Sequence, residues 1–424
     1  MKLNGRKPRK KIREYSIDMK ASHLILFLML LAPGLAEAKA KKIDDYHWVG
    51  VERVIAIGDL HGDYERYIDV MESAGLVDSK GKWSGGRTHL VQTGDITDRG
   101  ADSRKIIDHL VKLKKQATKK GGYVHLLIGN HEAMNVVGDL RYVSPGEFAA
   151  FETRNSVRLQ NMQWQRQVEW MQVNVPEFET IDLEAYRAEW EQQVPLGWVE
   201  HRQAWSFNGE YGKWVEENQV AVQINDTIFL HGGISEKYCK FSLEYLTEQV
   251  IAAMKNYDPS LTSIATDPMG PLWYRGLAQE DETDIFSQTL DNILDRYGAK
   301  RIVIGHTPTG GVVWPRFDQR VVANDTGIAR HYGAHKGLLE LTADGAIAIY
   351  GDQKIPVPTL NSGREDYLRA VIEVDSNNAH LKNRLARMLA PPPDPSEAVK
   401  NVDTAEGSEA AEPLEPIAAP GTCQ

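Results

Sequence analysis

A chain of 424 residues, 42% hydrophobic and 25% charged, is long enough to bury a large α/β core. Its 59 acidic and 49 basic side chains give a net charge of −10, which excludes a protein drawn to nucleic acid by its overall charge. Two cysteines, Cys239 and Cys423, are too few for a disulfide framework and lack metal-ligand spacing; a bridge between them is open but not implied.

The first element in chain order is a targeting segment. Eight Lys or Arg fall within residues 2–20, the apolar run LILFLMLLAPGLA follows at 24–36, and Ala36-Glu37-Ala38 offers a small-residue cleavage site. This pattern predicts a signal peptide over 1–38, removed on export to the periplasm. The apolar run is short for a membrane span of about 20 residues, so no stable span is expected after cleavage. An uncleaved anchor is the alternative, and Met19 is an alternative start. Residues 1–38 hold eight basic and three acidic side chains, so a chain starting at Lys39 carries 41 basic and 56 acidic groups, net −15.

The body, 45–355, repeats one local pattern. Five apolar runs, VIAI (54–57), HLVQT (89–93), YVHLLI (123–128), VAVQINDTIFL (220–230) and IVI (302–304), read as strands. Each runs into a polar motif: GDLHGD (58–63), GDITDRG (94–100), GNHE (129–132), HGG (231–233) and GHT (305–307). Helices are predicted over 64–76 and 101–117, which is the α/β rhythm. His89 and His125, inside strands, read as packed residues. Residues 144–216 break the rhythm with six of the chain's ten tryptophans and helical stretches at 151–173 and 182–194. Lying between the third and fourth motifs, they are expected to form a helical cap over the site, with a stabilising subdomain as the alternative. Short strands at 312–315, 320–325, 337–343 and 346–351 suggest an antiparallel run. His331 and His335, in the Gly-rich stretch between them, read as loop residues, with a place lining the pocket as the alternative. The extension 356–390 ends in a helix at 378–390, and the Pro-, Ala- and Glu-rich tail 391–424 reads as disordered.

The chemistry follows from the motifs. Asp59 and His61 are two apart, so an extended strand end points both to one side. Asp95 has two oxygens with which to bridge two ions, and Asn130, His231 and His306 would complete a second site. Oxygen and imidazole donors suit hard to borderline divalent metals and admit manganese, iron, zinc or cobalt alike; manganese is the expected ion, with the others as alternatives. Paired ions clamp both oxygens of an in-line phosphoryl displacement.

These five motifs in this order resemble the signature of the calcineurin-like metallophosphoesterases. GDITDRG with GNHE is closest to the phosphoprotein phosphatase branch. GNHEAMNVVGDLRYV (129–143) and PLWYRG (271–276) resemble its bacterial, Shewanella-like subgroup. The resemblance implies a two-sheet β-sandwich core flanked by helices, with Asp59, His61 and Asp95 on one metal and Asp95, Asn130, His231 and His306 on the other. It makes His131 the general acid, oriented by Asp98, and gives Arg99, Arg275 and Asn130 to the phosphate. The implied activity is phosphomonoester hydrolysis by a metal-bridging hydroxide, on a phosphorylated protein or peptide or a small phosphoester. Hydrolysis of nucleotide or dinucleotide polyphosphates, and a non-catalytic metal-stabilised binding module, are the alternatives.

Overall fold

The computed structural model describes residues 40–390 and Cys423. The signal segment and, Cys423 apart, the tail lie outside the described residues.

The strands form two sheets. One contains β3 (Arg53–Ile57), β4 (His89–Gln92), β5 (Tyr123–Leu126), β11 (Gly337–Thr342), β12 (Gly345–Tyr350) and β13 (Gln353–Pro356), ordered β13-β12-β11-β3-β4-β5. The other contains β1 (Lys41–Lys42), β2 (His47–Val49), β6 (Ala221–Ile224), β7 (Thr227–Leu230), β8 (Arg301–Ile304), β9 (Trp314–Arg316) and β10 (Val321–Ala323), ordered β1-β2-β6-β7-β8-β10-β9. Alternation along β3 shows how they stack. Val54 and Ala56 join the core shared with Ile228, Phe229 and Ile302 of the second sheet. Ile55 and Ile57 face the opposite way, onto α1 (Tyr64–Ser73) and α2 (Ser103–Thr118) through Tyr67, Met71, Ile106 and Leu110. The expected sandwich flanked by helices is thus observed.

Strand direction positions the site. β3, β4 and β5 are parallel neighbours with Ile57 opposite Gln92, while β7 and β8 are parallel with Leu230 opposite Ile304. All five motifs therefore emerge from carboxyl ends of strands, where open sheets expose their connecting loops.

Three local readings change. The run 220–230 is a hairpin, β6 and β7, because Asn225 adopts φ 56°, a left-handed conformation that asparagine tolerates in tight turns. The late strands are not one antiparallel run. β10 pairs antiparallel with β9 but parallel with β8, whereas β11 and β12 lie in the other sheet. Residues 58–63 are not extended either, since His61 has φ 41°.

The segment 144–216 is helical: α4 (Pro145–Ala149), α5 (Ser156–Asn174), α6 (Leu183–Gln193), α7 (Trp198–Trp205) and α8 (Glu210–Glu216), after α3 (Asn130–Val137). Trp205, Tyr211 and Val215 pack into the helix-side core, while Trp164 and Trp190 pack on each other with ring centroids 5.3 Å apart. Past β7 come α9 (Leu243–Lys255), α10 (Gly276–Gln279), α11 (Asp284–Tyr297), α12 (Arg364–Val374) and α13 (Ala379–Leu389). His89 Nδ1 lies 3.0 Å from His125 Nε2, both rings against Trp48, as packed strand residues. Cys423, inside the tail read as disordered, is buried and disulfide-bonded to Cys239 with Cα atoms 5.2 Å apart. Among the described residues no helix is long and apolar enough to cross a membrane.

Candidate metal centre

The five strand ends bring their polar side chains into one buried cluster. Asp59, His61, Asp95, Asn130, His131, His231 and His306 are each at most 5% exposed. Such close approach needs glycine beside them. A Cβ on Gly58 would sit 2.4 Å from the Asn324 carbonyl oxygen, and one on Gly129 would sit 2.2 Å from Asp95 Oδ1. His61, Asp95, Asp98, Arg99 and His306 all take positive φ, from 41° to 71°, costly geometry for non-glycine residues that the surrounding structure must hold in place.

Glu132 does much of this holding. Its fully buried carboxylate accepts from the backbone N–H groups of Asp95, Ile96 and Gly129, each at 2.8 Å, so it ties the second motif to the third.

Hydrogen bonding fixes which nitrogen of each imidazole faces the cluster. His231 Nδ1 donates to the Thr93 carbonyl at 2.9 Å, leaving Nε2 with a lone pair. His306 Nε2 donates to the Trp273 carbonyl at 3.1 Å, leaving Nδ1 bare. His61 Nδ1 donates to the Thr97 carbonyl at 3.0 Å, leaving Nε2 bare. The bare nitrogens of His231 and His306 are 3.1 Å apart, and His231 Nε2 also faces Asn130 Oδ1 at 2.9 Å and Asp95 Oδ2 at 3.2 Å. Two imidazole nitrogens, an amide oxygen and a carboxylate oxygen thus converge around His231 Nε2. The donor set therefore fits a divalent metal, with the backbone carbonyls orienting its imidazoles.

Asp95 joins two such groups. Donor atoms of His61, Asp95 and His131 lie within 4.8 Å of one another, as do those of Asp95, His231 and His306. Asp59 borders both, 3.9 Å from His61 Nε2 and 3.9 Å from His231 Nδ1. Burial drives His61 down to about 3 and His306 well below the ordinary imidazole range, so both rings are neutral. Burial, with the neighbouring Asp325 and Asp95, pushes Asp59 well above the usual carboxylate range. Burial and like-charged neighbours both disfavour its anion, and a cation beside it would favour that anion.

His131 differs from the other three. Its Nδ1 lies 2.6 Å from Asp98 Oδ2, and its Nε2 faces Asp95 Oδ2 at 3.8 Å. Burial works against its proton, but Asp95 and the bond to Asp98 outweigh burial and raise its pKa. Asn135 Nδ2 in turn donates to Asp98 Oδ1 at 2.9 Å and keeps that carboxylate aimed. The Arg99 guanidinium stacks 3.9 Å from the centroid of Tyr142, whose ring lies 5.1 Å from that of His131. Arg275 Nη1 donates to the His306 carbonyl at 2.8 Å and to Thr307 Oγ1 at 3.2 Å.

All of the sequence-predicted site residues thus meet at one place, and further residues join them. Asp325 is buried beside Asp59; it follows β10 in the strand-then-polar pattern of the five motifs, a signal that was there to be read. The Tyr332 ring packs 4.9 Å from His61. Tyr142 lies within the GNHEAMNVVGDLRYV stretch, but nothing in that stretch marks its contact with Arg99, and Tyr332 sits in a short 3-10 turn, Arg330–Tyr332, with no motif of its own.

With this geometry in view, comparison with known proteins is decisive. The sequence profile of calcineurin-like phosphoesterases matches residues 52–310. The chain belongs to the calcineurin-like phosphoesterase family. An uncharacterized protein of Schizosaccharomyces pombe is 31% identical over 305 residues, covering 70% of this chain and 79% of its own. Shewanella-like protein phosphatase 2 of Arabidopsis thaliana is 28% identical over 314 residues, covering 70% of this chain and 77% of its own. The crystal structure of a cold-active protein-tyrosine phosphatase from a psychrophilic Shewanella superposes with a TM-score of 0.57 at 28% identity, covering 74% of this chain and 83% of that one. Within this family the chain is a metal-dependent phosphatase.

Proposed function

We propose that this phosphatase is exported, holds two divalent ions, manganese foremost, and hydrolyses phosphomonoesters on protein or peptide substrates. The observation that carries the two-ion reading is the placement of Asp95 within both groups of donors. The names of the Arabidopsis and Shewanella relatives support a phosphoprotein substrate.

In this reading Asp59, His61 and Asp95 hold one ion, and Asp95, Asn130, His231 and His306 the other. Bound ions would neutralise phosphate charge and supply an activated water. The remaining work falls to the chain itself. Arg99, fixed over Tyr142, offers its planar fork to a phosphate oxygen. Arg275, anchored on the loop of His306, lines the same approach. His131 carries its proton on Nε2 and delivers it to the leaving oxygen, while Asp98 holds the opposite side of the ring.

Export is supported by the basic and apolar pattern of residues 2–36 and by the Cys239–Cys423 bridge, since disulfides persist in oxidising compartments. Two measurements test the proposal: turnover of a phosphopeptide panel with and without added divalent metal, and the N-terminal sequence of protein recovered from the periplasm, expected near Lys39. Recovery of a full-length chain only from the cytosol contradicts export, and an absence of metal-stimulated turnover contradicts the activity.

A further inference from the structure

An open groove of about 820 Å³ lies beside the metal centre, walled by the loop after the fifth motif, by the loop 330–335 and by α13. Its lining includes Arg330, Arg384 and Arg387 with His331, His335 and His380, and no carboxylate side chain. His331 and His335 line this concavity, the alternative to the plain loop reading. On a chain of net charge −10, such a concentration of cationic side chains focuses a local positive potential.

The groove is built, not incidental. Asn378 caps α13 by accepting from the backbone N–H of His380 at 3.0 Å and of Leu381 at 3.3 Å, while its Nδ2 donates to the Gly310 carbonyl at 2.9 Å. Arg384 Nη2 donates to the Thr309 carbonyl at 3.1 Å, and its guanidinium sits 4.7 Å from the Trp314 ring centroid. The helix is therefore locked onto the loop that follows His306. His380, Asn383, Arg384 and Arg387 recur at helical spacing along one side of α13. Arg330 is already paired with Asp63 and Glu65, and His335 with Asp375, so the groove's uncommitted charge comes from α13. Burial, and to a lesser extent Arg387, Arg316 and Arg364, lowers Arg384 to about 10. The loop 330–335 is also a wall of the centre, since Tyr332 packs on His61.

We propose that this groove is an anion subsite which binds an acidic or second phosphorylated side chain of a peptide whose scissile phosphate lies at the metal centre. The assignment rests on the phosphatase reading above and narrows its substrate class. Arginine and asparagine suit carboxylate and phosphate oxygens. Tyr332 is the only Phe, Tyr or Trp in the lining, which offers little for stacking a nucleobase and favours a peptide.

The test uses the full-length, metal-loaded protein, its Arg387→Glu variant, and Lys382→Glu as a control that makes the same charge change outside the groove lining. kcat/KM is measured for a phosphopeptide flanked by three glutamates and for its triple-glutamine counterpart. Binding of the unphosphorylated glutamate peptide and of inorganic tripolyphosphate is measured by fluorescence competition. The wild type should prefer the acidic peptide, and Arg387→Glu should cut that preference about threefold to tenfold while Lys382→Glu keeps it, the scale of an exposed or partly buried ion pair. The unphosphorylated peptide should weaken by a similar factor in Arg387→Glu alone. Equal kcat/KM for the two peptides in the wild type, or equal loss in both variants, overturns the subsite. Tripolyphosphate binding that is lost in Arg387→Glu, with no peptide binding, overturns the peptide class. Peptide binding that depends on Arg387, without turnover of any phosphoester, leaves the groove standing and sinks the phosphatase reading instead.

Discussion

His131→Asn tests the division of labour within the centre. His131 has its pKa raised in spite of burial, because Asp95 and Asp98 hold its proton. The backbone contacts of residue 131 do not depend on its side chain: its N–H donates to Asp95 Oδ1 at 2.9 Å, and its carbonyl accepts from Asn135 at 2.9 Å. The fold should therefore survive. Asp98 loses its 2.6 Å charge-assisted bond but keeps the one from Asn135, a stability cost of about 1–3 kcal/mol. Loss of the general acid should lower kcat by about 10²–10⁴-fold, or about 3–5 kcal/mol in the barrier. The assay is kcat for p-nitrophenyl phosphate and for an alkyl phosphate, with metal content measured on the same samples. The p-nitrophenyl ester, whose leaving group needs little protonation, should lose least. Equal losses on both substrates would refute the acid role. So would metal content falling in step with activity, which would make His131 a ligand, as its Nε2 position near His61 and Asp95 also allows.

Three further outcomes are expected. Asp95→Asn should reduce metal content and turnover together, because its carboxylate belongs to both donor groups; full turnover with full metal content refutes the bridging role. Glu132→Ala strands the four buried N–H groups of Asp95, Ile96, Thr97 and Gly129 and should destabilise the protein by at least about 3 kcal/mol in urea titrations, far more than Glu132→Gln. Cys423→Ser opens a bridge spanning 184 residues and should cost about 2–5 kcal/mol, seen as a lower Tm that reductant reproduces in the wild type but not in the variant.

Much of the centre was legible because each donor sits in the turn after an apolar strand, where glycine and a polar side chain stand out from the run before them. What stayed hidden depends on where different segments meet. Glu132 is visible within GNHE, yet its role as acceptor for the second motif's backbone exists only once β4 and β5 lie side by side. Asp325 follows an apolar strand like the others, but it contributes through proximity to Asp59 across two sheets. Arg99 was legible, whereas the contact of the Tyr142 ring that aims it exists only once the segments after β4 and α3 meet. The hairpin within 220–230 escaped notice because a two-residue Asn-Asp turn barely interrupts an apolar run. The separation of β9 and β10 from β11 and β12 into different sheets is set by partner strands distant in sequence. Pairing of Cys239 with Cys423 was equally unreadable, since 184 residues of separation carry no spacing signal.

The most direct test of the central claim is metal stoichiometry measured alongside turnover, on protein stripped by a chelator and then titrated with manganese. The convergence of His231, His306, Asn130 and Asp95 on one point predicts that the stripped protein is inactive and that p-nitrophenyl phosphate turnover returns as two ions bind per chain. Full turnover by metal-free protein, or binding of two ions with no phosphatase activity, would contradict the account.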